Sequence, residues 1–583
     1  APSAFANCAI ENLAFPTVEN PAAVTVVEAG AFVGNPLKHL SLGNRMKQID
    51  LLNINIGTYY TDQTVDLGST VQRIERGAFK YLKSLTLPSS LEYISTEIST
   101  DSLNIPASST EITINTRVTV KHLYIDRKYS TRYSFASKFD LLANDGVYSL
   151  TCGETKDAGV IIYGFEDYIK DVHIGASVQS ISTLRVSGKI SFSEGIERIR
   201  SLDVSVRDTK TLKLPGSLKE ITSLGIAGVE TLIFGDSSEP LTLSSGAIRG
   251  YQNQSSAFKP KEVYIGRDIT GTFTFTPWAS TIEKVVIGDN VSTVNDGLFK
   301  DCAAITNVVM SDNVTTIGNE AFSGCSGLKV LSLSEKVTTI GDNAYSGCTN
   351  LERIVARGLT PAVGNAGFGT EVEDNVPLYV HDEVIDDYYD SDLFYPFNIN
   401  PFSGNIVKEV TTENELTEEY EPGETFSIPE SVSMIIDRYP EYVIDPEDPE
   451  DPNEPVMSRS KVRRAAAAEE TDLTKSFYYF SPDPDILTVD QTGTVTVRKE
   501  GEGRIWAYVL DGSDRKVEIG VNKFALEDFN HDGVIDSDDL QMLVNHIANP
   551  AESKIPSEKA DLTKDGGVDS DDIQYHVLSL IHI

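Results

Sequence analysis

The chain has 583 residues, with 87 acidic against 49 basic side chains and a formal net charge of −38. That balance excludes recognition of a phosphate backbone, which needs a basic stripe, and the length suggests roughly three or four domains unless the chain is a repeat array. No run of about eighteen or more apolar residues occurs, so no transmembrane helix is expected.

The opening residues, APSAFANC, lack a basic segment followed by an apolar stretch. This is expected of an exported chain whose signal has been removed or is not included. A repeating unit begins soon after, as VQRIERGAFKYLKSLTLPSSLEYI, and is clearest in VTTIGNEAFSGCSGLKVLSLSEK and its neighbour VTTIGDNAYSGCTNLERIVARG. Apolar places recur in step: Val291, Val314 and Val337; Val294, Ile317 and Ile340; Phe299, Phe322 and Tyr345; Ile305, Leu328 and Leu351. One such coil cannot bury its apolar side alone, so successive coils must stack. Cys302, Cys325 and Cys348 keep the same 23-residue spacing, which marks them as small buried fillers rather than bridges or metal ligands. Cys8 and Cys152 stand outside this frame and receive no role.

Each unit carries a short alternating segment: VKHLYI (120–125), IKDVHI (169–174), IEKVVI (282–287) and LKVLSL (328–333). Alternation predicts a strand, and stacked strands predict a parallel sheet along one side of a solenoid, with Ala-Phe turns opposite. The pattern resembles a BspA-type leucine-rich repeat array, strongly over 282–358, well over 24–94, and with interruptions between 95 and 281. VPLYVHDEVIDDYYDSDLFYPF (376–397) is similar to the closing segment of such arrays and is expected to cap the last coil, since an open parallel edge invites aggregation. The solenoid domain is therefore expected to span 1–404. By register, His39, His122, Tyr124, His173, Lys213 and Tyr264 fall on the outer face of the strands, a candidate ligand surface as the family implies; a solvated strand face carrying mixed residues is the alternative.

Residues 405–523 change character, with short alternating strands separated by Gly and Asp turns in SPDPDILTVDQTGTVTVRKEGEGRIWAYVLDGSDRKVEIGV. They predict a β-sandwich and resemble a bacterial Ig-like domain of group 2, from which Trp506 departs by replacing a small residue. DPEDPEDPNEPVMSRSKVRRAAAAEE is too rich in proline and like charge to pack, so a disordered insertion is expected at about 445–475. Its KVRR is either a protease processing site or an exposed basic patch.

Two acidic loops follow. Asp528, Asn530, Asp532, Asp536 and Asp539 occupy places 1, 3, 5, 9 and 12 of a loop with Gly533 at place 6 and the Val534 carbonyl at place 7. A hard cation requires this alternation of oxygen donors with a turning backbone. Thirty-three residues later Asp561, Thr563, Asp565, Gly567, Asp569 and Asp572 repeat the register, so two calcium ions are expected. Each loop ends in Asp and has helical apolar spacing only on its C-terminal side (Leu540, Leu543, Val544, Ile547). Loop plus one helix, twice, resembles a dockerin over 524–583. The resemblance implies a small α-helical module that folds around calcium and binds a cohesin partner through loop places 10 and 11, which are Ser537 with Asp538 and Ser570 with Asp571.

No G-x-S-x-G elbow, H-E-x-x-H or phosphate loop occurs, and no enzyme is expected. The whole reads as a mainly β, non-catalytic protein, secreted from or held at the surface of a bacterium. Its solenoid would bind a protein or glycan and its tail a cohesin-bearing scaffold. The alternative is an adhesin for host matrix with no cohesin partner.

Overall fold

The computed structural model describes most of residues 4–521; the longest stretches left out are 16–26, 51–63, 138–148, 153–159, 251–257, 413–422, 445–461, 465–476 and, apart from Met542 and Leu543, 522–583. The chain divides into two compact units, 1–400 and 401–583.

The first unit is a parallel β-solenoid of about 13 turns. In the coils of 282–358 each turn contributes one four-residue strand (Lys284–Ile287, Asn307–Met310, Val330–Leu333, Arg353–Ala356) and one two-residue strand (Thr293–Val294, Thr316–Ile317, Thr339–Ile340). Like strands pair in parallel, residue for residue: Val285 with Val308, Ile287 with Met310, Ile317 with Ile340. The Ala-Phe turns form the opposite wall. There Phe275, Phe299, Phe322, Tyr345 and Phe368 stack in one column with centroids 5.1–5.5 Å apart. Beside it Cys302, Cys325 and Cys348 are free thiols, fully buried. Burial pushes the Cys302 and Cys348 thiols up to about 12, and Cys325 higher still. These are the fillers their spacing predicts.

Between 95 and 281, where the repeat is interrupted, the coils continue but the turn wall is replaced. Strands Leu184–Phe192, Leu202–Ser205, Leu224–Ala227 and Ile248–Gly250 pair in succession and form a third sheet side. The coil is triangular there. Gly188 and Gly195 lie against the preceding coil: a Cβ on Gly188 would sit 2.3 Å from the Lys170 carbonyl oxygen and one on Gly195 1.9 Å from that of Ala176, so only hydrogen fits.

Three arginines stitch the coils together. Each follows the end of a strand, in LYIDR, VYIGR and RIVAR, and is buried: Arg127 at 0 %, Arg267 at 1 % and Arg357 at 4 % exposure. Arg127 donates from Nη1 to Ser89 O (3.0 Å), from Nη2 to Leu91 O (2.8 Å) and from Nη2 and Nε to Thr110 O (2.7 and 3.1 Å). Arg267 reaches Glu239 O and Gly216 O, and Arg357 reaches Met310 O and Asp312. The guanidinium fork thus ties carbonyls of preceding coils to the coil that carries it. Burial lowers the Arg127 and Arg267 pKa values, against the opposing charges of Glu92 and of Glu194 with Glu239 respectively.

The last coil is closed by 377–400. Pro377–Val380 pairs with Arg353–Ala356, and a short helix, Ile385–Tyr389, turns Tyr388 inward, where its hydroxyl donates to Gly358 O (3.0 Å). Phe397 packs edge-on against Phe368 and ends the aromatic column.

The second unit contains antiparallel strands around one core of Val407, Val410, Ile428, Phe477, Tyr479, Leu487, Val495, Ile505, Ala507 and Ile519. Phe477–Phe480, Gly503–Val509 and Lys516–Val521 form one sheet, and Thr425–Ser427, Thr494–Val497 and Leu487–Val489 another. The expectation of a disordered insertion across 445–475 needs correction at its centre, since Val462–Arg464 of KVRR forms a strand antiparallel to Tyr442–Ile444. The aromatic and β-branched residues at 442–444 favour strand pairing there. The remainder of the insertion lies outside the described residues.

Candidate ligand face of the solenoid

The outer face of the main sheet follows from parity. Leu85, Leu103, Leu123, Leu150 and Val172 share one inward row and are buried, so the places on either side of each point outward. In register, the outward places are Ser84, Ser102, His122, Asp171 and Lys189 in one row and Thr86, Asn104, Tyr124, His173 and Ser191 in the other. The register therefore brings together three of the six predicted residues. Tyr124 and His173 are two strands apart, about 10 Å, and His122 precedes Tyr124 by two places, about 7 Å. Tyr124 is 44 % exposed, while both histidines are half-buried. His173 Nδ1 shares a hydrogen bond with Ser191 Oγ (2.8 Å), and Ser193 Oγ lies 3.5 Å from Nε2, so two hydroxyls set the ring orientation.

His39 occupies the equivalent place in a separate sheet, between Asn12 and Thr64, and its Nδ1 shares a hydrogen bond with Thr64 Oγ1 (2.7 Å). It is exposed but is not part of the cluster. Lys213 begins another sheet, in the row Lys213, Ile233, Tyr264, Val286, Val309, and is half-buried.

Tyr264 is not on an accessible face. It is 1 % exposed, and its neighbours in the row, Ile233, Val286 and Val309, are buried too. The ring lies along the strand, over Gly266 and Gly288, where an added Cβ would come within 2.8 Å of Cε1 and 2.4 Å of the hydroxyl, and the hydroxyl donates to Asp236. Strand parity predicts which way a side chain leaves the sheet but not what lies above it, which is why the expectation fails. The outward rows are thus polar over coils 78–192, whereas over coils 231–310 the row Ile233, Tyr264, Val286, Val309 is closed over and the row Thr231, Glu262, Lys284, Asn307 is polar.

The adjoining row contains a half-buried carboxyl. Glu262 pairs with Thr231 and Lys284, and enclosure of its carboxyl raises the pKa to about 7, opposed by Lys284 and by the hydrogen bond from Thr231 (3.2 Å). Sequence reading missed Ser102, Asn104, Asp171, Lys189 and Ser191 as members of the outward rows. Their signal was the same parity that located His122, in strands whose spacing the insertions disguise.

The predicted calcium donors Asp528, Asn530, Asp532, Val534, Asp536, Asp539, Asp561, Thr563, Asp565, Gly567, Asp569 and Asp572, and the predicted docking pairs Ser537–Asp538 and Ser570–Asp571, lie outside the described residues. Among the described residues no cluster of three or more His, Cys, Asp or Glu could hold a metal, and no helix is long and apolar enough to cross a membrane.

Stacked coils whose like strands pair in parallel define a leucine-rich-repeat solenoid. Residues 1–122 and 270–370 match, in six copies, the family model of the BspA type leucine-rich repeat region, and residues 526–575 match that of the dockerin type I domain. The unmatched interval, 123–269, lies within the triangular coils. Among solved structures, a leucine-rich repeat protein from Bacteroides ovatus ATCC 8483 is 15 % identical, over 67 % of this chain and 92 % of that one, with a TM-score of 0.25. The pneumococcal vaccine antigen PcpA is 13 % identical, over 56 % of this chain and 91 % of its own, with a TM-score of 0.20. No curated protein matches the chain.

Proposed function

We propose that this is an exported, non-catalytic recognition protein, with a ligand-binding solenoid and a calcium-dependent docking tail that attaches it to a cohesin-bearing scaffold. The match of 526–575 to the dockerin type I domain, on top of two acidic loops in the same register, carries the reading. Both matched families are binding domains. The donor chemistry fits: carboxylates, one amide and one hydroxyl, all oxygens, suit a hard cation, and two loops call for two ions. The antiparallel unit, which we assign to the Ig-like group 2 class, spaces the solenoid from the tail.

Ser537–Asp538 and Ser570–Asp571 are the contact pairs in this reading, and because they are identical either loop can face the partner. On the solenoid, His122, Tyr124 and His173 form the ligand face. An exposed phenol flanked by imidazoles and hydroxyls offers a stacking surface and both hydrogen-bond roles, which suits a protein loop or a glycan. Capture of the full chain by immobilised cohesins, with calcium and then with chelator, tests the tail. Capture should require calcium and should fall only when both Ser–Asp pairs are changed to alanine; capture that persists in chelator overturns the assignment. Glycan and matrix arrays probed with wild type and with Tyr124→Ala test the solenoid, where signal unchanged by the substitution removes Tyr124 from the face.

A further inference from the structure

The outward rows over coils 78–192 differ in chemistry from a surface built to hold another protein. Protein interfaces concentrate several large apolar side chains in a desolvated centre from which charge is depleted. Among the described residues, Tyr124 is the one exposed large apolar side chain on this sheet; Phe5, Val33, Leu359, Val363 and Tyr395 lie in other segments. Around Tyr124 the places carry hydroxyls, an amide and imidazoles: Ser102 and Asn104 on the strand before it, His122 on its own strand, and His173 two strands on. An extended peptide that adds to a sheet draws its hydrogen bonds from an unpaired edge, whereas strand Val118–Ile125 is paired on both sides. Charge and spacing select the ligand further. Asp171 and Lys189 stand opposite one another in register, so with neutral histidines the two charged places of these rows cancel, in a chain whose net charge is −38. Six strands follow one another from Ala78–Thr86 to Leu184–Phe192. The face therefore advances in steps of about 4.8 Å and covers about 24 Å along the solenoid. Each step is close to the length of one sugar residue in an extended chain.

We propose that this face binds an uncharged, extended polysaccharide lying across the strands, with one ring stacked on Tyr124 and about five sugar residues in step with the coils. The inference rests on the assignment of His122, Tyr124 and His173 to the ligand face and names the ligand of that same site. A pyranose presents an apolar C–H face and a rim of hydroxyls. One phenol ring set among polar side chains meets both, the ring by contact and its neighbours by hydrogen bonds. Hydroxyl and imidazole groups donate as well as accept, so they pair with sugar hydroxyls in either sense. His173 is already oriented by Ser191 Oγ (2.8 Å) and loses little freedom when a ligand arrives.

Neutral β-1,4-linked oligosaccharides of glucose, mannose, xylose or N-acetylglucosamine, from disaccharide to heptasaccharide, test this by calorimetry on the full-length protein. The association constant of the series that binds should rise with each added unit up to about five and change by less than about twofold beyond. Tyr124→Ala should weaken the pentasaccharide at least about tenfold and Tyr124→Phe, which keeps the ring, by less than about threefold. An unchanged melting midpoint checks that the alanine variant is folded. Oligogalacturonates of the same lengths supply the charged arm and should bind more weakly than the neutral series. Failure of every neutral series to bind, or a preference for the acidic one, overturns the proposed ligand, and an affinity independent of length overturns its alignment across the strands. A matrix protein captured by wild type and lost by Tyr124→Ala would replace the sugar while leaving the face in place. Sugar binding that Tyr124→Ala leaves unchanged would remove the face itself, and this proposal with it.

Discussion

Replacing Arg127 with methionine isolates the contribution of one stitch between coils. Methionine keeps the apolar stem and removes the fork, so the carbonyls of Ser89, Leu91 and Thr110 lose donors now held at 2.7–3.1 Å. An orphaned buried acceptor costs about 1–3 kcal/mol, and relief of the guanidinium's own desolvation returns part of that, so the net loss is about 3 kcal/mol. Lysine should recover little, because one ammonium cannot serve three carbonyls across two coils. In a solenoid the penalty stays local, since each coil contacts only its neighbours. Amide exchange at pH 7 should therefore show opening of coils 71–127 with 282–358 unaffected, and urea unfolding should resolve an early transition for the N-terminal coils. A loss under about 1 kcal/mol, or uniform loosening of every coil, would refute the view that Arg127 holds these coils together.

Glu262→Gln tests the half-buried carboxyl. Its folded pKa of about 7 lies above the ordinary 4.5, so the ionised form is disfavoured in the native state; the penalty is absent below pH 4.5, grows up to about pH 7 and persists above. The variant should match wild type at pH 4 and gain about 2 kcal/mol at pH 8, by urea midpoint; an equal effect at both pH values contradicts this. Iodoacetamide under native conditions should modify Cys8 and spare Cys302, Cys325 and Cys348, whose burial keeps them as thiols, until the solenoid unfolds. Labelling of Cys325 in the folded protein would show that the column breathes. Phe322→Ala should cost about 3–5 kcal/mol by interrupting the stack between Phe299 and Tyr345, measured as a lowered midpoint of the C-terminal coils.

The repeat was legible wherever its period was constant. Val291, Val314 and Val337 mark successive coils by spacing alone, and the cysteines inherit their burial from that frame. Coils 95–281 were harder to read because the Ala-Phe turn, the most distinctive part of the unit, is exchanged there for a strand. Arg127, Arg267 and Arg357 escaped notice for a different reason: an arginine just past a strand reads as solvated, and its carbonyl partners lie up to 51 residues away. Tyr264 shows the converse, a residue given the right direction and the wrong surroundings.

The aromatic column from Phe275 to Phe368 advances by one ring per coil at nearly constant spacing. Excising 314–336 would join Asn313 to Val337 in frame and bring Phe299 against Tyr345, the same kind of meeting that each already makes with Phe322. Unequal crossing-over within the gene can therefore lengthen or shorten this part of the molecule in whole steps of 23 residues, leaving no new interior to be invented. Reach becomes a trait that selection can adjust separately from folding.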